Sequence, residues 1–347
     1  MTETEDKKRI NNSDILFVYD AKLCNPNGDP DDENKPRMDY DTETNLVSDV
    51  RLKRYIRDYL MSECKDQEIF VSKVDAKTVN ATKRLEKLFE KYEENGKKTK
   101  VNLKKLQSNH VNWLLSKLID VRFFGATMPI TSKEGAGVSS NFTGPVQFNW
   151  GYSLNKTAIN PSSSITSTFA GRTREKEGEE EATEYGTFGK DWRVLYSLIA
   201  FHGIISGKRA VHTNLSENDV KLLDDTLIKA IPLEATTRSK IGQTPRLLLR
   251  VEYKNDKTFL GDLRRYVKAN PKNKLAEEKL RDINEIELDI EPLVNLLEKQ
   301  KDQVQGVYMW KHDELNLKGD MELKQLKVNN GKSLVQELPH PQEEPKE

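Results

Sequence analysis

Cysteine and histidine are scarce in this chain, long apolar runs are missing, and the charges cancel. Cys24 and Cys64 form neither a CxxC pair nor a disulfide framework, which fits a reducing compartment. The five histidines are scattered, with His110 in an apolar helical stretch and His202 in an apolar run. No Ser or Cys sits at a recognisable spacing from them, so nucleophilic catalysis has no anchor, and no Cys/His zinc pattern occurs. Gly135 and Gly137 lie in a Gly-rich stretch, but no GxxxxGK[ST] follows, which argues against a nucleotide loop. The expectation is a protein with no cofactor and no metal. No run approaches the length of a membrane span, and MTETEDKKRINNS carries no signal-peptide core, so the reading is cytoplasmic with no membrane partner.

Lys plus Arg and Asp plus Glu are both 56, so any nucleic-acid partner must be met by local segregation of charge. Basic clusters occur at Arg51–Arg57, at Lys97, Lys98, Lys100, Lys104 and Lys105, and at Arg172, Arg174 and Lys176. Acidic ones follow at Glu175–Glu184 and in the tail. Charged residues make up 32% and apolar residues 35%, yet four Trp and many aliphatic clusters argue against global disorder. A compact core with long solvated excursions is expected, and 347 residues suffice for two average domains or one with large insertions.

The chain opens informatively. DILFVYDAKLC (Asp14 to Cys24) reads as a strand, ended by the turn dipeptides Asn25-Pro26, Asn27-Gly28 and Asp29-Pro30. A helix follows, with Ser48 as N-cap; Leu52, Ile56, Tyr59 and Leu60 share one face while Arg51, Lys53, Arg54 and Arg57 spread over the other. Two helices are expected within residues 80–120 and strand and loop chemistry from Val121 to Tyr152. Residues 155–190, rich in Ser and Thr and then acidic, read as a solvated hairpin or long loop. WRVLYSLIAFHGII is an apolar strand. Ser216 and Asp219 cap a helix expected to end before Pro232; RLLLRVEY is a strand, FLGDLRRYVKA a short helix, IELDI a strand and PLVNLLEKQ a helix opened by Pro292. QVQGVYMW reads as a last strand and residues 336–347 as a disordered tail.

Five segments in order carry a resemblance: NPNGDPDDENKPRMDYDTETNLVSDVRLKRYIRD, DVRFFGATMP, TGPVQFNWG, SITSTF and YGTFGKDWRVLYSLIAFHGII. The chain resembles the backbone subunit of type I CRISPR Cascade complexes, the Cas-seven superfamily, and most closely its type I-B branch. The likeness covers roughly residues 12–255.

What the resemblance implies is an α+β fold: an RRM-like (ferredoxin-like) palm with a helical fingers insertion and a β-hairpin thumb. Residues 1–64 would begin the palm, 65–120 form the fingers, 121–154 return palm strands and loops, 155–190 make the thumb, and 191–335 complete the palm. The implied function is a non-catalytic scaffold. Copies assemble head to tail along a CRISPR RNA beside other Cascade subunits, and the guide is held exposed to pair with target DNA. Ser48, Lys53 and Arg57 fall where the family's phosphate-contacting residues recur, with Arg51 and Arg54 alongside. Phe169 is the candidate thumb wedge between bases, with Thr168 equally close in the pattern, and Lys190 lies at the thumb base. Arg122 is expected to pair with a carboxylate and Trp192 to sit in the core.

Two alternatives stand beside this. Close carboxylates at Asp29, Asp31, Asp32 and Glu33 could hold Mg²⁺ for phosphodiester cleavage, as in a type III-like endoribonuclease. Against it, these residues form turns and interact with Arg37. The other is a general single-stranded nucleic-acid-binding protein.

Overall fold

The computed structural model describes residues 9–73, 79–94, 97–99, 101–103, 106–128, 140–166, 188–327 and 331–340. Its main elements are β1 (Ser13–Cys24), β2 (Thr44–Val47), α1 (Asp49–Glu63), α2 (Ala81–Phe89), α3 (Ser108–Lys117), α4 (Ile119–Phe124), β3 (Val146–Phe148), β4 (Gly151–Ser153) and β5 (Val194–Ile205). There follow α5 (Gly207–Thr213), α6 (Glu217–Glu234), β6 (Gln243–Tyr253), α7 (Glu291–Lys299), β7 (Val304–Lys311) and β8 (Val335–Glu337). Among the described residues, no helix is long and apolar enough to cross a membrane.

One large sheet runs β8-β7-β6-β1-β5-β4-β2 and ends on the two-residue strand Met38–Asp39, with β3 also paired to β5. β1 is central, antiparallel to β5 and β6 along nearly its whole length. That position explains its almost unbroken apolar composition, since a strand covered on both faces cannot afford alternation. Ile15, Phe17, Tyr19 and Ala21 pack on one face under α1 and α6, while Leu16 and Val18 pack on the other under residues 263–326. The connectivity through the centre is strand, helix, strand, strand, helix, strand: β1, α1, β4, β5, α6, β6. Leu52, Tyr55, Ile56, Tyr59 and Leu60 are the buried stripe of α1, each worth about 1.5–3 kcal/mol of apolar transfer.

Two buried aspartates of β1 fasten the second layer. Asp14 accepts from the Tyr253 hydroxyl at 2.5 Å and from the backbone amides of Leu260 and Gly261 at 2.8 and 3.2 Å. Burial raises its pKa, against the lowering effect of those hydrogen bonds. Asp20 meets Arg246 at 2.9 Å and the Tyr196 hydroxyl at 3.1 Å, and Arg246 in turn reaches Glu314 at 2.6 Å.

α2, α3 and α4 share a separate core of Leu85, Leu88, Phe89, Leu114, Leu118 and Val121. The indole of Trp113 stacks on Phe89 with centroids 5.7 Å apart. Arg122 joins this unit to α6. Its guanidinium donates to both carboxylate oxygens of Asp219 at 3.0 and 2.9 Å and to the Leu115 carbonyl at 2.7 Å, as the expected carboxylate pairing requires.

Several sequence expectations need correction. α2 stops at Phe89 and α3 starts only at Ser108, so the helices of this region are shorter than their patterns. Residues 121–124, expected as strand and loop chemistry, belong to the helix Ile119–Phe124, which is buried all round, and this erases any period. α6 keeps the Ser216–Asp219 capping box but runs through Pro232 to Glu234; Pro in the last turn forfeits only one amide bond. The FLGDLRRYVKA helix is a single 3₁₀ turn, Leu263–Tyr266. QVQGVYMW is not the last strand, because β8 pairs parallel with β7 at Val307–Val335 and Met309–Glu337. Residues 336–340 therefore do not belong to a tail, and His340 lies against Trp310 with centroids 6.0 Å apart.

Candidate nucleic-acid interface

The cationic helix α1 directly follows β2, and its start lies beside the turn after β1. Ser48 is its N-cap: its hydroxyl accepts from the Arg51 amide at 3.4 Å and donates to Asn27 Oδ1 at 2.9 Å. The Ser48 amide donates to the same oxygen at 2.8 Å, so Asn27 ties the turn after β1 to the helix start. Ser48 thus does structural work whatever else it touches.

The four cations of α1 differ. Lys53 pairs with Asp49 at 2.9 Å, donates to Gln147 at 3.2 Å and is 13% exposed. Arg57 pairs at 3.0 Å with Asp120, which is buried and also accepts the Phe70 and Val71 amides. Arg54 lies in the open, 47% exposed, on an i,i+4 pair with Asp58. Arg51 lays its guanidinium over the Tyr55 ring, 4.0 Å from the centroid, and its Nε is buried without a partner.

Lys190 ends the hairpin whose described strands, Ser164–Thr166 and Phe188–Lys190, pair antiparallel. Its ammonium bonds Glu33 at 2.8 Å and lies 5.8 Å from the Trp192 ring centre; Lys35 approaches the same ring at 5.3 Å. Trp192, expected in the core, is therefore half-buried at the surface between two lysines, because the turn after β1 folds back beside the base of the hairpin. Phe169, Thr168, Arg172, Arg174 and Lys176 lie outside the described residues.

The acidic loop is charge-compensated. Asp29 pairs with Arg37 at 2.8 Å, Asp32 with Lys35 at 2.7 Å and Glu33 with Lys190, while Asp29 also accepts the Asp31 amide at 3.2 Å. The first pairing is the one its turn chemistry suggested. Asp29, Asp32 and Glu33 each face a cation of their own, and among the described residues no group of three or more acidic, His or Cys side chains is arranged to hold a metal ion.

Sequence reasoning missed three neighbours of this surface. Arg37 lies over Trp150, 5.7 Å from the ring centre, and that indole is 44% exposed. Lys35 joins the Trp192 cluster. Lys240 belongs to the turn between α6 and β6, and its ammonium donates to the Asn25 carbonyl at 2.6 Å and the Pro26 carbonyl at 3.4 Å. Only strand pairing brings that turn to the end of β1, through Lys22 N to Gly242 O and Asn25 N to Ser239 O, both 2.8 Å; no local pattern announces it.

Together these features define an α+β sheet protein with a cation-rich surface gathered at one end of its central strand. Residues 11–291 match the family described as CRISPR-associated protein Cas7. The chain is 32% identical over 313 residues to a CRISPR-associated protein Cas7 of Haloferax volcanii, with 86% of each chain covered. It belongs to the Cas7 family. Among solved structures it is similar to a chain of a CRISPR RNA-guided surveillance complex, with a TM-score of 0.45 at 10% identity, covering 87% of this chain and 89% of that one. Another, from a CRISPR RNA-guided surveillance complex in a pre-nicking state, gives a TM-score of 0.47 at 12% identity, covering 88% and 95%.

Proposed function

We propose that this chain is the CRISPR RNA-binding backbone subunit of a type I Cascade surveillance complex, of the I-B branch, acting as a scaffold without catalysis of its own. Copies assemble head to tail along one guide beside other Cascade subunits, in the cytoplasm, and leave the bases open to target DNA. The palm is RRM-like: the strand order β6-β1-β5-β4, with α1 and α6 on one face, supports the βαββαβ plan. The fingers are residues 65–120, which carry α2 and α3, and the thumb is the hairpin rooted at 164–166 and 188–190.

The observation that carries the reading is membership of the Cas7 family together with α1, whose apolar stripe packs on the sheet while Arg54 stands exposed on the other side of the helix. Ser48, Arg51, Lys53, Arg54, Arg57, Lys190 and the thumb residue Phe169 form the proposed RNA contact set. Phosphates are met by the cations and positioned without base readout, which Watson–Crick pairing supplies.

The test is to purify the protein from its own host background, extract the bound nucleic acid and sequence it. Repeat-derived guide RNAs on a multimer are the expected result. Protein that comes away bare, or carrying unselected RNA, overturns the Cascade reading.

A further inference from the structure

Lys53, Arg54 and Arg57 each meet a carboxylate. Arg51 does not, and neither does Lys240; among the described residues no carboxylate lies within ion-pair distance of either. Yet one residue ties together the supports of these two cations. Gln243 Nε2 donates to the Tyr55 hydroxyl at 3.0 Å, beneath the Arg51 guanidinium, and to the Lys240 carbonyl at 2.8 Å.

Two partly buried cations without a counter-charge are costly, and their proximity registers in the lysine. Burial first, and Arg51 second, lower the Lys240 pKa to about 8, with Cys24 acting weakly the other way. The Arg51 Nε remains buried without a partner. Around the pair stand the first turn of α1, whose dipole favours an anion, and the carbonyls that anchor Lys240. What the arrangement lacks is negative charge from outside the chain.

We propose that Arg51 and Lys240 form a two-cation phosphate site that takes one phosphodiester of the bound single-stranded RNA; this rests on the RNA-scaffold reading above. The guanidinium supplies a planar fork and the ammonium a point charge, a pair suited to bridging the two non-bridging oxygens of one phosphate. Lys240 thereby belongs to the RNA contact set although it lies far from α1 in the chain.

The test compares the full-length native protein, Lys240→Met and Lys240→Arg. Binding to a labelled single-stranded RNA oligonucleotide is followed by fluorescence anisotropy over a salt series. Lys240→Met is expected to bind about tenfold more weakly at low salt, with a log–log salt slope shallower by about 0.7, the value of one single-strand phosphate contact. Lys240→Arg should restore both. A melting curve confirms that each variant folds, and a merely structural lysine would leave the salt slope where it was. Native affinity and slope in Lys240→Met overturn the site while the scaffold reading stands. Native RNA binding with impaired self-association also overturns it, assigning the cations to a carboxylate of a neighbouring copy. No RNA binding by the native chain removes the scaffold reading and the site together.

Discussion

The ammonium of Lys190 lies 2.8 Å from both carboxylate oxygens of Glu33, a residue 157 positions earlier. The contact ties the root of the 164–190 hairpin to the acidic loop after β1, and the Lys190 hydrogen bond, reinforced by Lys35, holds the Glu33 carboxyl below its ordinary range. Both side chains are about half exposed, so the pair adds little to folding. A phosphate arriving at Lys190 would have to displace Glu33.

Glu33→Gln should therefore leave the melting temperature unchanged and tighten RNA binding, since Lys190 no longer has a competing anion. Lys190→Ala should weaken binding and make the salt slope shallower by about 0.7. Anisotropy titrations over a salt series check both; tighter binding by Lys190→Ala would refute the account.

Arg54 and Arg57 should separate binding from stability. Arg54→Ala removes an exposed i,i+4 partner, so the expected outcome is native stability with weaker RNA binding. Arg57→Ala leaves the Asp120 carboxylate buried, and urea denaturation should show a loss of about 3 kcal/mol or more.

Arg122→Met should loosen the α2–α4 unit specifically. It breaks a buried bidentate pair with Asp219, worth about 3–5 kcal/mol on removal of one partner. Hydrogen exchange should rise first in α3, whose Leu115 and Ser116 carbonyls lose their guanidinium donor. Uniform exchange rates across α3 and β1 would argue against such a local role.

Lys240 also predicts a pH dependence. Its folded pKa, about 8, lies below the ordinary lysine value of 10.5. Between those values the unfolded chain binds more protons than the folded one, so stability rises with pH across that window. Below about pH 8 the lysine is protonated in both states and the cost of burying the charge is constant. Urea denaturation at pH 7.5, 9 and 10 should show the native protein gaining on Lys240→Met; parallel curves would contradict the assignment.

Much of this was legible in the sequence because it is local. β1 and β5 announce themselves as apolar runs, Ser48 and the Ser216–Asp219 box mark helix starts, and Asp29 found the Arg37 that its turn suggested. The Cas7 relationship was carried by five ordered segments. What sequence could not show is tertiary. Arg51, Lys53, Arg54 and Arg57 look alike in a line of letters; only the approach of Gln147, Asp120 and Lys240 makes one a strut and another an uncompensated charge. Trp192 was misplaced for the same reason, since nothing near it in the chain reveals that Lys35 will arrive at its ring.

The edges of the large sheet carry a consequence for assembly. One is closed by the three residues of β8 and the other by the two of Met38–Asp39, so neither offers a long row of unpaired amides and carbonyls. Among the described residues, these two edges give copies of this chain little from which to extend one another's large sheet, the route that leads to aggregates. Any ordered array must be specified by side chains and loops, and its repeat is then open to being set by an external template instead of by the backbone.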